Sequence, residues 1–261
     1  MASLRPCFVF FVKSDRLNPV IPDKTHHHLW TAARSIIFTL CLAALPRAGQ
    51  AQTWEMVSPV GFGSASNKSL SRGTTYYTNP TTYIVFGTSN SVTGAQVWRS
   101  SNGVDWNQIG SSGFDSNATS NTSVAWLASF YNGLLAGVSD GSGARVYRSS
   151  TTLDSWTMVF STVTAASTNL SATESFGIES GQLYAGVRNV VTGAEIWRSS
   201  AASSLTDWTR VANTGFGIGY ENQTITSFAN YGGAFFAATG STATGCRASS
   251  ATPPRCWWSA R

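Results

Sequence analysis

From residue 52 onward, hydrophobic and polar positions alternate over short runs that break at Gly, Asn and Ser clusters. Ala95-Gln-Val-Trp-Arg99 sets small or apolar side chains against polar ones, as a half-buried strand does. Asn102-Gly103 then offers the φ > 0 residues of a tight hairpin leading into Asp105-Trp-Asn-Gln-Ile109. Asn132-Gly133 is expected to do the same between Val124–Phe130 and Leu134–Val138. Ser180-Gly181 and Gly232-Gly233 occupy matching places later in the chain, and Asn79-Pro80 the earlier one. Past residue 51 no run carries apolar residues at helical spacing over three turns, and the abundance of Gly, Ser and Thr disfavours helix.

These runs recur in a fixed order. Thr93-Gly-Ala-Gln-Val-Trp-Arg-Ser-Ser101 returns as Gly143-Ala-Arg-Val-Tyr-Arg-Ser-Ser150 and as Thr192-Gly-Ala-Glu-Ile-Trp-Arg-Ser-Ser200. A Trp-x-x-aliphatic marker appears at Trp54–Val57, Trp106–Ile109, Trp156–Val159 and Trp208–Val211. A hydrophobic run ending in a small residue appears at Tyr83–Gly87, Leu134–Gly137, Leu183–Gly186 and Phe235–Ala238. The repeat spans about 50 residues and holds four short antiparallel strands. Sheets of that size bury both faces when packed radially, so the spacing predicts an all-β fold, a β-propeller with about four blades over residues 52–245. Trp54–Val57 is expected to serve as a fourth strand lent to the last blade. At Gly245 the pattern breaks into Cys246-Arg-Ala-Ser-Ser250, with Pro253-Pro254 where the last strand is expected. Residues 246–261 therefore read as an aberrant or disordered end of a frame-shifted or truncated longer propeller; a closed four-bladed ring is the alternative.

The Val97-Trp-Arg-Ser-Ser-Asn-Gly-Val-Asp-Trp106 arrangement resembles the Asp-box (bacterial neuraminidase) repeats of secreted sialidase-type β-propellers. In that family Ser-x-Asp-x-Gly-x-x-Trp occupies the turn between the third and fourth strands of a blade. Gly103 lies three before Trp106 as the motif requires, whereas Ser101 and Thr151 stand where the acid would be. The third copy carries two extra residues before Trp208. The resemblance implies the propeller fold; the box itself is a structural turn and implies no catalysis.

Composition narrows the function. With 261 residues, 42% hydrophobic and 11% charged, the chain is neither disordered nor a solvated coiled coil. The net charge of +5 is concentrated in residues 1–51; from residue 52 there are eleven basic and ten acidic side chains, too balanced for a nucleic-acid surface. Residues 1–51 read as a leader with a signal peptide: Arg34, the apolar h-region 35–45, Pro46, then small residues through Ala51. Eleven helical residues reach about 16 Å, short of the ~30 Å hydrocarbon core, so no stable membrane span is expected in the mature chain. Cleavage near Ala51 would deliver a secreted, periplasmic or extracellular protein. The residues upstream of the signal, with His26, His27 and His28, fit a translation start set too early.

All three histidines lie in that leader, which removes Ser-His-Asp and Cys-His catalysis and histidine-bound zinc from the mature chain. No cofactor and no metal is expected. Cys246 and Cys256 read equally as a disulfide or as two unpaired thiols. The recurring Arg99, Arg148 and Arg198 invite comparison with the arginines that clamp a carboxylate in sialidases, yet equivalent positions in successive blades do not converge. They are assigned, with Trp98, Tyr147, Trp197, Trp106, Trp156 and Trp208, to the repeat's own packing. Glycoside hydrolysis needs two carboxylates about 5–10 Å apart. Asp115, Asp140, Glu174, Glu179 and Glu221 lie in non-repeated loops without an evident pairing, and Asp105 and Asp207 belong to the repeated turns. Ser139-Asp-Gly-Ser142 is oxygen-rich but lacks a calcium-loop ligand ladder. Asn67, Asn117, Asn121, Asn169 and Asn222 each begin an Asn-x-Ser/Thr triplet and are taken to mark exposed loops. The expected function is a secreted, non-enzymatic binding or scaffold module for protein or glycan. Its ligand face would be formed by the loops Gly61–Thr75, Gly110–Thr122, Ser161–Thr173 and Thr214–Gln223. A sialidase-like glycoside hydrolase, implied by the resemblance, is the alternative.

Overall fold

The computed structural model describes residues 10–11, 54–114, 120–140, 143–162, 171–200, 205–241 and 247–251. The h-region 35–45, Asp115, Asn117, Asn169, Cys246 and Cys256 lie outside them, so the readings placed on those residues are not addressed. The chain divides into two compact units, Val9–Val57 and, with Met1–Phe8, Ser58–Arg261.

In the smaller unit, β1 (Phe10–Phe11) pairs antiparallel with β2 (Glu55–Met56). The strand expected to be lent to the last blade pairs here with Phe10–Phe11, aromatic residues that favour extended pairing.

The larger unit is the propeller-type stack. In its first blade β3 (Ser69–Leu70) and β4 (Thr74–Thr78) share the role of one first strand, both pairing with β5 (Thr81–Ser89). β6 (Val97–Ser100) and β7 (Asn107–Ile109) follow. The second blade is β8 (Asn121–Phe130), β9 (Gly133–Asp140), β10 (Gly143–Ser149) and β11 (Trp156–Ser161). The third is β12 (Ser171–Glu179), β13 (Gln182–Arg188), β14 (Glu195–Ser199) and β15 (Trp208–Arg210). The fourth comprises three strands among the described residues: β16 (Asn222–Tyr231), β17 (Ala234–Ser241) and β18 (Arg247–Ala251). Among the described residues helix is confined to short 3-10 turns such as Val60–Gly63 and Thr214–Gly217.

Two details differ from the sequence expectation. Ser180-Gly181 and Gly232-Gly233 turn with φ of 49°, 73°, 58° and 75°, but in the second blade the turn falls on Tyr131 (φ 49°) and Asn132. Gly133 instead opens β9, because Arg148 lies over it and a Cβ there would sit 2.7 Å from Nε. The regular motif does stop at Gly245, yet strand pairing does not, since Arg247–Ala251 aligns with β17 from Thr239 to Phe235. A ladder needs backbone donors and acceptors in register, and losing the aromatic side chains leaves those intact.

Both faces of a blade are buried because side chains alternate along each strand. In the second blade Leu127, Leu134, Ala136 and Val138 face Tyr76, Val85 and Ile109 of the first. Trp126, Ala128, Phe130 and Leu135 face Leu183, Ala185 and Val187 of the third. Ala194 and Ile196 of the third meet Ile225 and Ala237 of the fourth. Among the described residues no core cluster joins the fourth blade to the first. No helix of the described residues is long and apolar enough to cross a membrane.

Candidate functional site

The recurring aromatics form a three-ring cluster in each of the first three blades. Phe62 stacks on Trp98 with centroids 5.0 Å apart and meets Trp106 edge-on at 5.2 Å. Phe114 takes the same place against Tyr147 at 4.8 Å and Trp156 at 4.9 Å. At the next junction Phe160 of β11 packs on Trp197 at 5.5 Å and Trp208 at 4.7 Å. The fourth-strand indoles also reach backward. Trp156 Nε1 donates to the Ile109 carbonyl at 3.0 Å, and Trp208 Nε1 to the Val159 carbonyl at 2.9 Å. Each therefore ties its blade to the outer strand of the one before. Arg99 donates to the Thr152 carbonyl in the following blade at 3.4 Å and lies 4.9 Å over the Tyr83 ring. Arg148 covers Gly133 and lies near Tyr76, whose hydroxyl pKa is pushed up by burial against the opposing pull of the Arg148 charge. Arg198 holds the equivalent register opposite Tyr184.

A further repeat marker escaped the sequence reading. Val60-Gly61-Phe62-Gly63, Ser112-Gly113-Phe114 and Thr214-Gly215-Phe216-Gly217 are the same turn, with Phe62, Phe114 and Phe216 held at φ 53°, 70° and 56°. This left-handed backbone strains a non-glycine residue, and the ring's burial against its cluster offsets that cost. Each turn is pinned by an asparagine that opens the next blade. Asn67 Nδ2 donates to the Gly61 carbonyl at 2.8 Å, Asn121 Nδ2 to Gly113 at 2.7 Å and Asn222 Nδ2 to Gly215 at 3.0 Å. These three asparagines are 3%, 0% and 1% exposed, so they are interior pins and not the markers of exposed loops they were taken for. The spaced Gly-Phe pairs were visible in the sequence; nothing local, however, showed that their loops turn inward. Within the loops expected to form a ligand face, the Val60–Phe62, Ser112–Phe114 and Thr214–Phe216 turns pack inward, while residues 115–119 and 163–170 lie outside the described residues.

The turns between third and fourth strands are built on hydroxyl and amide groups. Ser100 Oγ accepts from the Gly103 amide at 2.8 Å, and Asn102 Oδ1 accepts from Val104 and Asp105 at 2.9 Å each. In the next copy Ser150 Oγ donates to Asp154 at 2.6 Å, and that bond is the main reason the Asp154 carboxyl sits below the usual carboxylate pKa.

Among the described residues, Glu179 and Glu221 do not assemble a hydrolytic pair. Successive first strands run side by side, as Asn230 Nδ2 donating to the Ile178 carbonyl shows. Glu179 thus lies beside the end of β16, whereas Glu221 lies just before its start; ten strand residues separate them by about 30 Å. Glu195, 4% exposed, is occupied: it accepts from Trp197 Nε1 at 2.8 Å and Asn189 Nδ2 at 3.1 Å, with Arg210 at 3.9 Å. Among the described residues no group of three or more His, Cys, Asp or Glu gathers to hold a metal.

A cleft opens between the second and third blades. One compartment, about 310 Å³, is lined by Phe160, Ser161, Trp197 and Trp208; an adjoining one, about 450 Å³, by Arg148, Ser150, Thr157 and Leu205. Met158, Val159 and Thr206 line both. Rings, a half-exposed thioether, hydroxyls and one guanidinium make up this surface, and no carboxylate lines it.

No family model and no curated protein matches the chain. Among solved structures, similarity is found to an exo-β-1,3-galactanase from Phanerochaete chrysosporium bound to β-1,3-galactotriose (11% identity, TM-score 0.44, 72% of this chain, 47% of that one). An α-L-arabinofuranosidase from Clostridium thermocellum is similar at 13% identity and TM-score 0.38, over 64% of this chain and 60% of that one. An exo-1,5-α-L-arabinanase from a bovine ruminal metagenomic library is similar at 10% identity and TM-score 0.41, over 76% and 82%. The chain spans about half to three-fifths of the first two. None supplies a role for a residue of this chain.

Proposed function

We propose that the chain is a non-enzymatic propeller module that binds carbohydrate in the cleft between its second and third blades. The observation that carries this reading is the cleft's chemistry. Flat indole and phenyl surfaces suit the C–H faces of a sugar ring, and the Ser and Thr hydroxyls with Arg148 suit its oxygens. The alternative, a sialidase-like hydrolase, is disfavoured by the 30 Å scale separation of Glu179 and Glu221 and by the absence of carboxylates from the cleft's lining. The Ser100–Asn102 and Ser150–Asp154 turns support assigning the repeats to degenerate Asp-box turns, with Asn102 bonding backbone amides as the missing acid would. Export with cleavage near Ala51 belongs to the same proposal.

The test is a glycan array alongside a panel of fluorogenic glycosides, run on the full chain and on Thr206→Arg and Met158→Ala. Both positions are exposed, so the fold tolerates the changes. Glycan capture without turnover, weakened at least about tenfold (about 1.4 kcal/mol) by Thr206→Arg, is expected. Capture indifferent to both variants, or turnover abolished by Glu221→Gln, overturns the reading.

A further inference from the structure

The first and fourth blades carry, uncovered, the two halves of the junction that repeats between them. Each interior blade packs a front face on the blade before it and a back face under the blade after it. The back face of the second blade is Trp126, Ala128 and Phe130 of β8 with Leu135 of β9, none more than 4% exposed. In the fourth blade Ser227 lies opposite Ala238 as Trp126 lies opposite Gly137, and Ala229 opposite Phe236 as Ala128 lies opposite Leu135. There the same face is open. Tyr231 is 80% exposed where Phe130 is 4%, and Ser227 and Ala229 are exposed. With Phe236, Ala238 and Ala248 they line an apolar groove of about 340 Å³, and among the described residues no charged side chain lines it.

A front face is partly open on the first blade. In the second and third blades Leu134, Ala136, Tyr147, Leu183 and Ala185 of that face are at most 1% exposed. Their counterparts Ile84, Phe86 and Trp98 are half-buried, the Phe86 ring lying 5.7 Å from Trp106. The two open faces depart from the interior pattern in opposite senses. Inside, a large residue on a back face meets a small one on the facing front: Trp126 and Ala185 share one core cluster. On the end blades the sizes are exchanged. Ser227 stands in place of the indole, leaving the groove, and Phe86 stands in place of the alanine found at that register in the other blades, Ala136, Ala185 and Ala237. Close packing rewards this matching of large to small.

We propose that the fourth-blade back face docks a second copy of this chain through that copy's first-blade front face, with the Phe86 ring seated in the Ser227–Ala238 groove. The contact is heterologous, joining unlike faces of the two copies, so it closes into a ring or grows by addition. No core cluster among the described residues brings the two faces together within one copy. Three strands about eight residues long span about 14 by 26 Å, less than half of a standard ~800 Å² partner surface, which sets the association among weak, micromolar contacts.

Sedimentation velocity of the full chain from about 1 to 200 µM tests this. The native chain is expected to assemble with rising concentration; a chain monomeric throughout, as closure within one copy would give, overturns the proposal. Phe86→Ala, which leaves the groove unfilled, and Ser227→Trp, which fills it from its own side, should each weaken assembly at least about tenfold. Mixed in equal amounts the two variants should associate again, because each keeps the native face that the other has lost. The double variant recreates the interior pairing of indole and alanine and should associate more tightly than either single change. Assembly indifferent to Phe86→Ala, as pairing of two back faces would show, defeats the assignment, as does a mixture that stays apart or a double variant with no gain. Should circular dichroism show Phe86→Ala unfolded, Ala229→Arg at an exposed position decides: loss of assembly upholds the docking and native assembly refutes it.

Discussion

Replacing Asn121 with alanine puts the largest demand on the interior pins. The carboxamide is fully buried; its Nδ2 donates to the Gly113 carbonyl at 2.7 Å and to the Tyr147 hydroxyl at 2.9 Å, and its Oδ1 accepts from Arg145 at 2.7 Å. Truncation removes one charge-assisted bond, worth about 1.5–3 kcal/mol, and two neutral ones. It also leaves the Gly113 carbonyl buried without that partner, and loosens the turn that holds Phe114 against Tyr147 and Trp156. The total is about 4 kcal/mol, which for a unit of this size lowers Tm by about 12 °C. Asn102→Ala is the control: it loses bonds from the Val104 and Asp105 amides and from Ser100 Oγ and one to the Asp105 carboxylate, but in an exposed turn, and should cost about 1 kcal/mol, or about 3 °C. Thermal unfolding followed by circular dichroism at matched concentration reads both. A shift for Asn121→Ala no larger than that for Asn102→Ala would refute the pin, as would a glycan attached at Asn121 in folded protein from a glycosylating host.

Gly193→Ala should unfold the protein or lower Tm by more than 10 °C, because its φ is +99° and the added Cβ would sit 2.2 Å from the Gly219 carbonyl oxygen and 2.6 Å from Gly215 Cα. Soluble expression with an unchanged melt would show that the blade junction yields. Asp154 has its carboxyl pKa lowered, chiefly by the Ser150 hydroxyl, so the bonding it contributes is present above the ordinary carboxylate range and is lost as pH falls through the lowered value. NMR of the Ser150–Ser155 amides should show that turn changing only in acid, and Asp154→Asn should remove the change; a transition near neutrality would contradict it. Tyr76 runs the other way: its raised pKa means that the native contacts persist below the usual tyrosine value and weaken as pH climbs through the raised one. Alkaline titration of Tyr76→Phe should lack one late-ionising phenol.

The repeat and the four-strand unit were legible because periodic burial leaves a periodic trace in the sequence. The same is true of most hairpin turns, whose backbone demands Gly, Asn or Ser at fixed places. The cleft was not legible. It arises where Met158, Trp197 and Thr206, which no sequence pattern groups, meet across a blade junction, and its openness depends on how far two twisted sheets splay. The asparagines show the same division most sharply. Asn67, Asn121 and Asn222 look like surface triplets in a Ser- and Thr-rich chain, and local chemistry cannot tell a solvated carboxamide from one whose hydrogen bonds are all made inside. That distinction rests on a Gly-Phe turn closing over the next strand, six to eight residues away in sequence but set by packing between sheets. Sequence alone determined which segments are strands and how often they return; only the tertiary structure decided which polar groups are enclosed and where a surface is left for a ligand, because enclosure is a property of neighbouring blades and not of any one of them.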